Sequence, residues 1–425
     1  MTQHPALGLA CAVGERLVDP DAVPGGLRGA GWWRQSLAHG LPGIALLHIE
    51  LAASGRGPWQ RAHDWLAAIA QAPLTAGTDS NPYYGAPALA HALACAAGQL
   101  PGGAYRRALE ALDRQVAAEA RRRAAAAHRR IDHQELPALA EFDAVRGLSG
   151  YGAYLLRRDA DGDALRAVLD YLVRLASPLT LHGEVLPGWW TPSGPSGRPD
   201  NRLPGGHANS GMAHGITGPL SLLSLAARRG TTVTGQLDAI RTICTWLERW
   251  RTDTTNGPEW PYWITRAELR NGRRVSTGAL RPSWCYGTAG LARAQQLAAL
   301  ALGDTGRQVE AENALVDALT DPAQLKATTD NSLCHGFAGL AHIAARTADD
   351  AHPTTAGQLR AVIPALLAAL CPPGTDPADA ATTIVQDEEA GPGFLNGAAG
   401  IALALLSPAT ATPPRSAWDT CLLIA

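Results

Sequence analysis

Cys285, Cys334 and His335 are the residues of this 425-residue chain whose types and spacing could hold a catalytic metal. Two thiols and an imidazole are typical ligands for zinc, a borderline-soft ion. Three protein ligands also leave the fourth tetrahedral position open, as catalytic zinc requires. A lone cysteine in an apolar stretch is usually a buried small hydrophobe, and Cys11, Cys95, Cys244, Cys371 and Cys421 are read that way. Cys285 and Cys334 differ because each stands two places before the first glycine of a repeated turn. Other polar residues occupy neighbouring places. His214 directly precedes Gly215, Asp143 lies four before Gly147, Arg281 lies six before Gly287, and Tyr286 follows Cys285. A histidine near an open metal suits general acid or base work, because an unperturbed imidazole titrates near pH 6.5. A carboxylate such as Asp143 could orient it. The plainer alternative is that His214, like His39, caps a helix or satisfies a backbone group.

The elements that must position these residues form a sevenfold repeat. A short glycine-led turn runs straight into an apolar stretch at Gly40, Gly85, Gly147, Gly215, Gly287, Gly336 and Gly397. Six of the seven turns carry a second glycine three places on; the second turn has Ala88 instead, a place read as helix packing. The turn-led stretches, such as Leu340-Ala341-His342-Ile343-Ala344-Ala345, are apolar on nearly every side and read as buried helices. Between them, 61–72, 104–130, 161–176, 220–229, 236–250 and 308–319 show apolar residues at three- and four-residue spacing and read as amphipathic outer helices. Seven inner and seven outer helices closed in a circle make an all-α fold, an α/α toroid in a single domain spanning residues 1–425. All seven turns then lie at one end, around one mouth.

Three segments depart from the pattern. The stretch 104–130 holds Arg121-Arg122-Arg123 and Arg129-Arg130; it reads as a solvated outer helix, with an acidic or peptide partner as the alternative. The Pro/Gly-rich stretch 182–209, with Trp189 and Trp190, reads as a long ordered loop at the mouth. A second elaboration at 253–283 includes an expected β-hairpin over 259–276, turning at Asn271-Gly272. Bulk properties exclude several classes. A net charge of −2 argues against a nucleic-acid-binding surface. The first twenty residues lack a long apolar core, so no signal peptide is expected, and no stretch reaches the roughly 20 apolar residues of a membrane helix. Seven widely spaced cysteines in a large alanine-rich chain do not suggest a disulfide framework. A cytoplasmic protein is expected.

Trp284-Cys285-Tyr286-Gly287, Cys334-His335-Gly336, the run from Asn209 to Pro219 containing His214-Gly215, and the run from Asp143 to Gly150 resemble signatures of the lanthipeptide cyclases, the LanC-like proteins. The resemblance covers essentially the whole chain. It implies one zinc ion held by Cys285, Cys334 and His335, with His214 as acid/base, Asp143 as its partner, and Arg281 and Tyr286 lining the site. The implied reaction adds a peptide cysteine thiol to a dehydroalanine or dehydrobutyrine in the same peptide, giving a lanthionine or methyllanthionine ring. The implied partners are a dehydrated precursor peptide and a separate dehydratase, since only 39 residues precede the first turn's glycine and no dehydratase module is appended. Two other functions share these residues. One is a LanC-like enzyme that adds glutathione to dehydrated residues; the other is a peptide-binding scaffold whose zinc is not catalytic. A prenyltransferase subunit, another α/α barrel with zinc, would use aspartate, cysteine and histidine and ranks low.

Overall fold

The structure is a computed structural model that describes residues 4–22, 31–275 and 280–425. Each of the seven glycine turns opens a helix: Leu41–Ala53, Ala86–Ala97, Leu148–Arg158, Thr217–Arg228, Thr288–Leu302, Phe337–Asp349 and Ala398–Thr410. These helices are buried on almost every side, as their uniform apolarity requires; Leu41 to Ala52 is buried without a break. The helices between them are amphipathic. In Asp163–Leu175 the buried residues are Ala164, Leu165, Val168, Leu169, Tyr171, Leu172 and Leu175, a stripe at helical spacing.

The chain divides into two compact units. The first comprises residues 1–116, 328–349 and 357–419. There the turn-led helix Phe337–Asp349 packs on Ala398–Thr410, which packs on Leu41–Ala53, which packs on Ala86–Ala97. Pro5–Arg16 lies against Ala398–Thr410 and Pro377–Gln386, and Trp59–Ala70 lies against Leu41–Ala53. The second unit comprises 117–327, 350–356 and 420–425. Its turn-led helix Thr288–Leu302 packs on Thr217–Arg228, which packs on Leu148–Arg158. Asp163–Leu175, Gln236–Arg249 and Thr305–Thr320 pack outside them.

Backbone hydrogen bonds string the turns together within each unit. In the first, Cys334 N–H donates to Leu395 O (2.9 Å), Leu395 N–H to Ala38 O (2.9 Å) and Leu37 N–H to Tyr83 O (2.8 Å). In the second, Ala144 N–H donates to Ala213 O (3.0 Å) and Ala213 N–H to Cys285 O (3.4 Å). Every partner stands two or three places before the first glycine of its own turn. The glycines let each turn fold tightly on itself. At Gly287, φ is +113° and an added Cβ would lie 2.2 Å from Arg281 O. At Gly339, three places into its turn, a Cβ would lie 2.0 Å from Leu333 O.

Three sequence expectations need correction. Residues 220–229 are the body of the turn-led helix Thr217–Arg228 rather than an outer helix; apolar spacing alone did not separate the two layers. The stretch 182–209 is not plain loop: it contributes strands Glu184–Leu186, Trp190–Thr191 and His207–Asn209. Its Trp189 and Trp190 are buried, and Trp189 meets Trp246 edge-on at 5.4 Å, so the pair serves packing. The 259–276 hairpin is replaced by strand Trp263–Thr265, paired with His207–Asn209, and helix Arg266–Asn271. A capping box between Thr265 and Glu268 starts that helix, and Gly272 ends it in the left-handed region instead of turning a hairpin. The end of that expected hairpin, Ser276, lies outside the described residues. A hairpin does occur earlier, Thr252–Thr254 with Gly257–Glu259. The stretch 104–130 is the helix Arg106–Asp132, buried along Leu109, Leu112, Val116, Ala120, Ala124 and Ala127, as an outer helix should be.

Gly339→Ala is expected to destabilise the chain by about 1–3 kcal/mol, because the added methyl meets rigid backbone. Gly357→Ala, in open space on helix Pro353–Leu370, is expected to stabilise by about 0.5–1 kcal/mol. Urea denaturation of the two variants beside the parent checks both signs.

Candidate active site and metal ligands

The belt of turns delivers the chemistry-bearing side chains. In the third turn Asp143 is wholly buried. Its Oδ1 accepts the backbone N–H groups of Arg146 (2.5 Å) and Gly147 (2.8 Å), and its Oδ2 lies 2.7 Å from His214 Nδ1. In three other turns the place four before the first glycine is serine, and does the first job only. Ser36 Oγ accepts His39 N–H, Ser283 Oγ accepts Tyr286 N–H and Ser332 Oγ accepts His335 N–H. The aspartate therefore keeps the turn cap and gains a second oxygen for the imidazole. His214 is about a quarter exposed. Its Nδ1–H is the natural donor to Asp143, which leaves Nε2 for proton exchange.

His214 stands beside Tyr286, ring centroids 6.5 Å apart. Asn209 fixes Tyr286 by donating from Nδ2 to the phenol oxygen (3.1 Å). Asn209 is itself pinned, accepting Gly211 N–H at 2.9 Å and pairing with Trp263 across the small sheet. Tyr262 and Trp263 complete the aromatic wall, 5.6 and 6.1 Å from Tyr286. Tyr262 donates from its hydroxyl to Arg281 O (3.1 Å). Burial pushes the Tyr262 phenol up, against the opposing charge of Arg281. Cys285 is buried at the foot of this wall, with Ser283 Oγ 3.7 Å from its sulfur. Asp143, His214, Arg281, Tyr286 and Cys285 thus all belong to the second unit.

Cys334 and His335 belong to the first unit. Both are partly exposed. The belt holds Cys334 through its N–H, Ser332 holds the His335 N–H, and His335 Nε2 lies 3.3 Å from Asp330 Oδ2.

The family model described as lanthionine synthetase C-like protein matches residues 31–423. The chain belongs to the lanthionine synthetase C-like family. Nisin biosynthesis protein NisC of Lactococcus lactis subsp. lactis is 27% identical over 208 residues, a match spanning 48% of this chain and 48% of that protein. The chain thus spans about half the length of the curated relative it matches. A solved structure of nisin cyclase superposes with a TM-score of 0.74 at 21% identity, covering 93% of each chain. This likeness shows the fold and bears out the all-α toroid class expected from the turns. Within this lanthionine synthetase C-like chain, sequence reasoning missed Asp330, Ser283 and Tyr262. Ser283 was findable, since serine recurs four before the first glycine in three turns. Among the described residues, no helix is long and apolar enough to cross a membrane.

Two expectations follow. Asp143→Ser should keep the turn cap and near-parental stability but release His214, whereas Asp143→Ala should lose both. Nitrogen-15 NMR of the His214 ring and thermal unfolding separate the two effects. His207, buried and donating from Nδ1 to Ser193 O, is held down to about 4 by burial. Its folded value lies below the unfolded one, so the unfolded chain binds the extra proton between pH 6.5 and 4. Stability from His207 is complete above about pH 6.5 and falls as pH drops through that window. His207→Gln should flatten that part of the denaturation-versus-pH curve.

Proposed function

We propose that this chain is a zinc-dependent peptide cyclase that adds cysteine thiols to dehydroalanine or dehydrobutyrine of the same peptide, closing lanthionine or methyllanthionine rings. The observation that carries the reading is the donor set. Cys285, Cys334 and His335 are a group of three side chains that could hold a metal ion. Two thiols and an imidazole fit one zinc per chain and leave a position for a substrate sulfur. Zinc bound there would hold a substrate thiol as thiolate at neutral pH, where a free thiol of pKa about 8.5 is mostly protonated.

The chain's own residues handle the proton and the developing charge. Asp143 orients His214 through Nδ1, so that Nε2 takes the proton the thiol gives up. As the sulfur–carbon bond forms at the β-carbon, the π pair of the alkene moves onto the peptide carbonyl as an enolate. His214 Nε2 returns the proton to the α-carbon, so one proton leaves sulfur and one arrives at carbon. Arg281 and Tyr286 stabilise the enolate oxygen. The family match runs from residue 31 to 423 and so takes in residues of both units. A dehydratase acting on the precursor peptide would supply the dehydroamino acids. Seven free cysteines suit a reducing, cytoplasmic setting.

The test is to incubate the chain with dehydrated candidate peptide and count thiols that become unreactive to alkylation. Thiol loss should require zinc and stop with chelator. Cys285→Ala should lose both the metal and cyclisation, and His214→Ala should slow cyclisation by about 10²-fold or more. Full zinc stoichiometry in Cys285→Ala, or a parental rate in His214→Ala, contradicts the assignments.

A further inference from the structure

We infer that Asp330 is a positioning residue for His335, holding the ring so that Nδ1 is the nitrogen left for the metal. The inference rests on the zinc reading above. Asp330 Oδ2 lies 3.3 Å from His335 Nε2. Its Oδ1 accepts Ser332 N–H at 2.8 Å, and Ser332 Oγ accepts His335 N–H at 3.1 Å. One carboxylate thus accepts from the turn's backbone and stands 3.3 Å from the imidazole. The side chains of His335 and Asp330 are 26% and 35% exposed, where a bare ion pair adds little to stability. Its worth is orientation. A metal-bound imidazole is neutral and carries its proton on the other nitrogen. A carboxylate accepting that proton fixes the tautomer and makes the ring a better ligand.

The same division of labour occurs at Asp143, with one oxygen on backbone N–H groups and the other on His214. His214 and His335 each stand one place before the first glycine of their turns. The fold uses one device twice. At His214 it leaves Nε2 free for a proton; at His335 it leaves Nδ1 free for a metal.

Asp330→Asn separates orientation from architecture. The amide oxygen can still accept Ser332 N–H, but the amide nitrogen then faces Nε2–H and cannot accept it. Zinc affinity, read by competition with a chromophoric chelator, is expected to fall about 10–100-fold. The metal-free variant is expected to unfold at the parental temperature. Asp330→Glu, which keeps a carboxylate within reach, should recover part of the affinity. Nitrogen-15 NMR of the zinc-loaded parent should show the His335 proton on Nε2, a readout that needs no variant. Parental affinity in Asp330→Asn, or a proton on Nδ1 in the loaded parent, overturns the inference while leaving the zinc reading intact. A parent chain that takes up no zinc overturns both.

Discussion

The backbone hydrogen bonds from turn to turn are the constraint on which the rest depends. They join residues two or three places before a first glycine, and those are the places that carry Cys285 and Cys334. Each turn is itself folded so tightly that a Cβ on Gly287 or Gly339 would strike the carbonyl of Arg281 or Leu333 in the same turn. The glycines therefore shape the turns, and the shaped turns present the N–H and C=O groups that the belt joins. Because the belt fixes backbone positions just upstream of buried helices, the side chains there are presented on a rigid support. Precise sites need rigid supports, since a misplacement of about 1 Å can cost two orders of magnitude in rate.

On that support the chain economises on residue types. A hydroxyl four places before the first glycine closes the turn in Ser36, Ser283 and Ser332. Replacing the hydroxyl by a carboxylate at Asp143 keeps the closure and adds an acceptor for His214. The aromatic wall draws on two sources: Tyr286 stands on a glycine turn, whereas Trp263, with Tyr262 just before it, belongs to a three-stranded sheet whose strands come from separate stretches of the chain. Helical turns supply the reactive groups, and the sheet supplies the surface beside them.

The parts of this arrangement that were legible in the sequence share one property: they repeat. Seven glycine turns and uniformly apolar runs announced the buried helices, and the register announced which cysteines were unusual. What was not legible depends on pairing across distance. The small sheet brings Trp190–Thr191, His207–Asn209 and Trp263–Thr265 together over some seventy residues, and no local pattern encodes that pairing. Asn271-Gly272 looks like a hairpin turn, yet Gly272 serves equally well as a helix C-cap, and the upstream Thr265–Glu268 box decides between them. Trp189 and Trp190 read as part of a loop because their neighbours are Pro and Gly; Trp246, far along the chain, packs edge-on against Trp189. Asp330 escaped notice although it stands six places before its glycine, the place that Arg281 holds in the fifth turn.

In the proposed site Cys285, Cys334 and His335 hold one zinc with an open position. X-ray absorption at the zinc edge tests it most directly. The account requires two sulfur ligands and one imidazole, completed by a light atom, in the chain alone. Adding a peptide thiol should convert this to three sulfurs and one imidazole. A closed four-ligand site that does not change with thiol, or a sulfur count other than two in the chain alone, would contradict it.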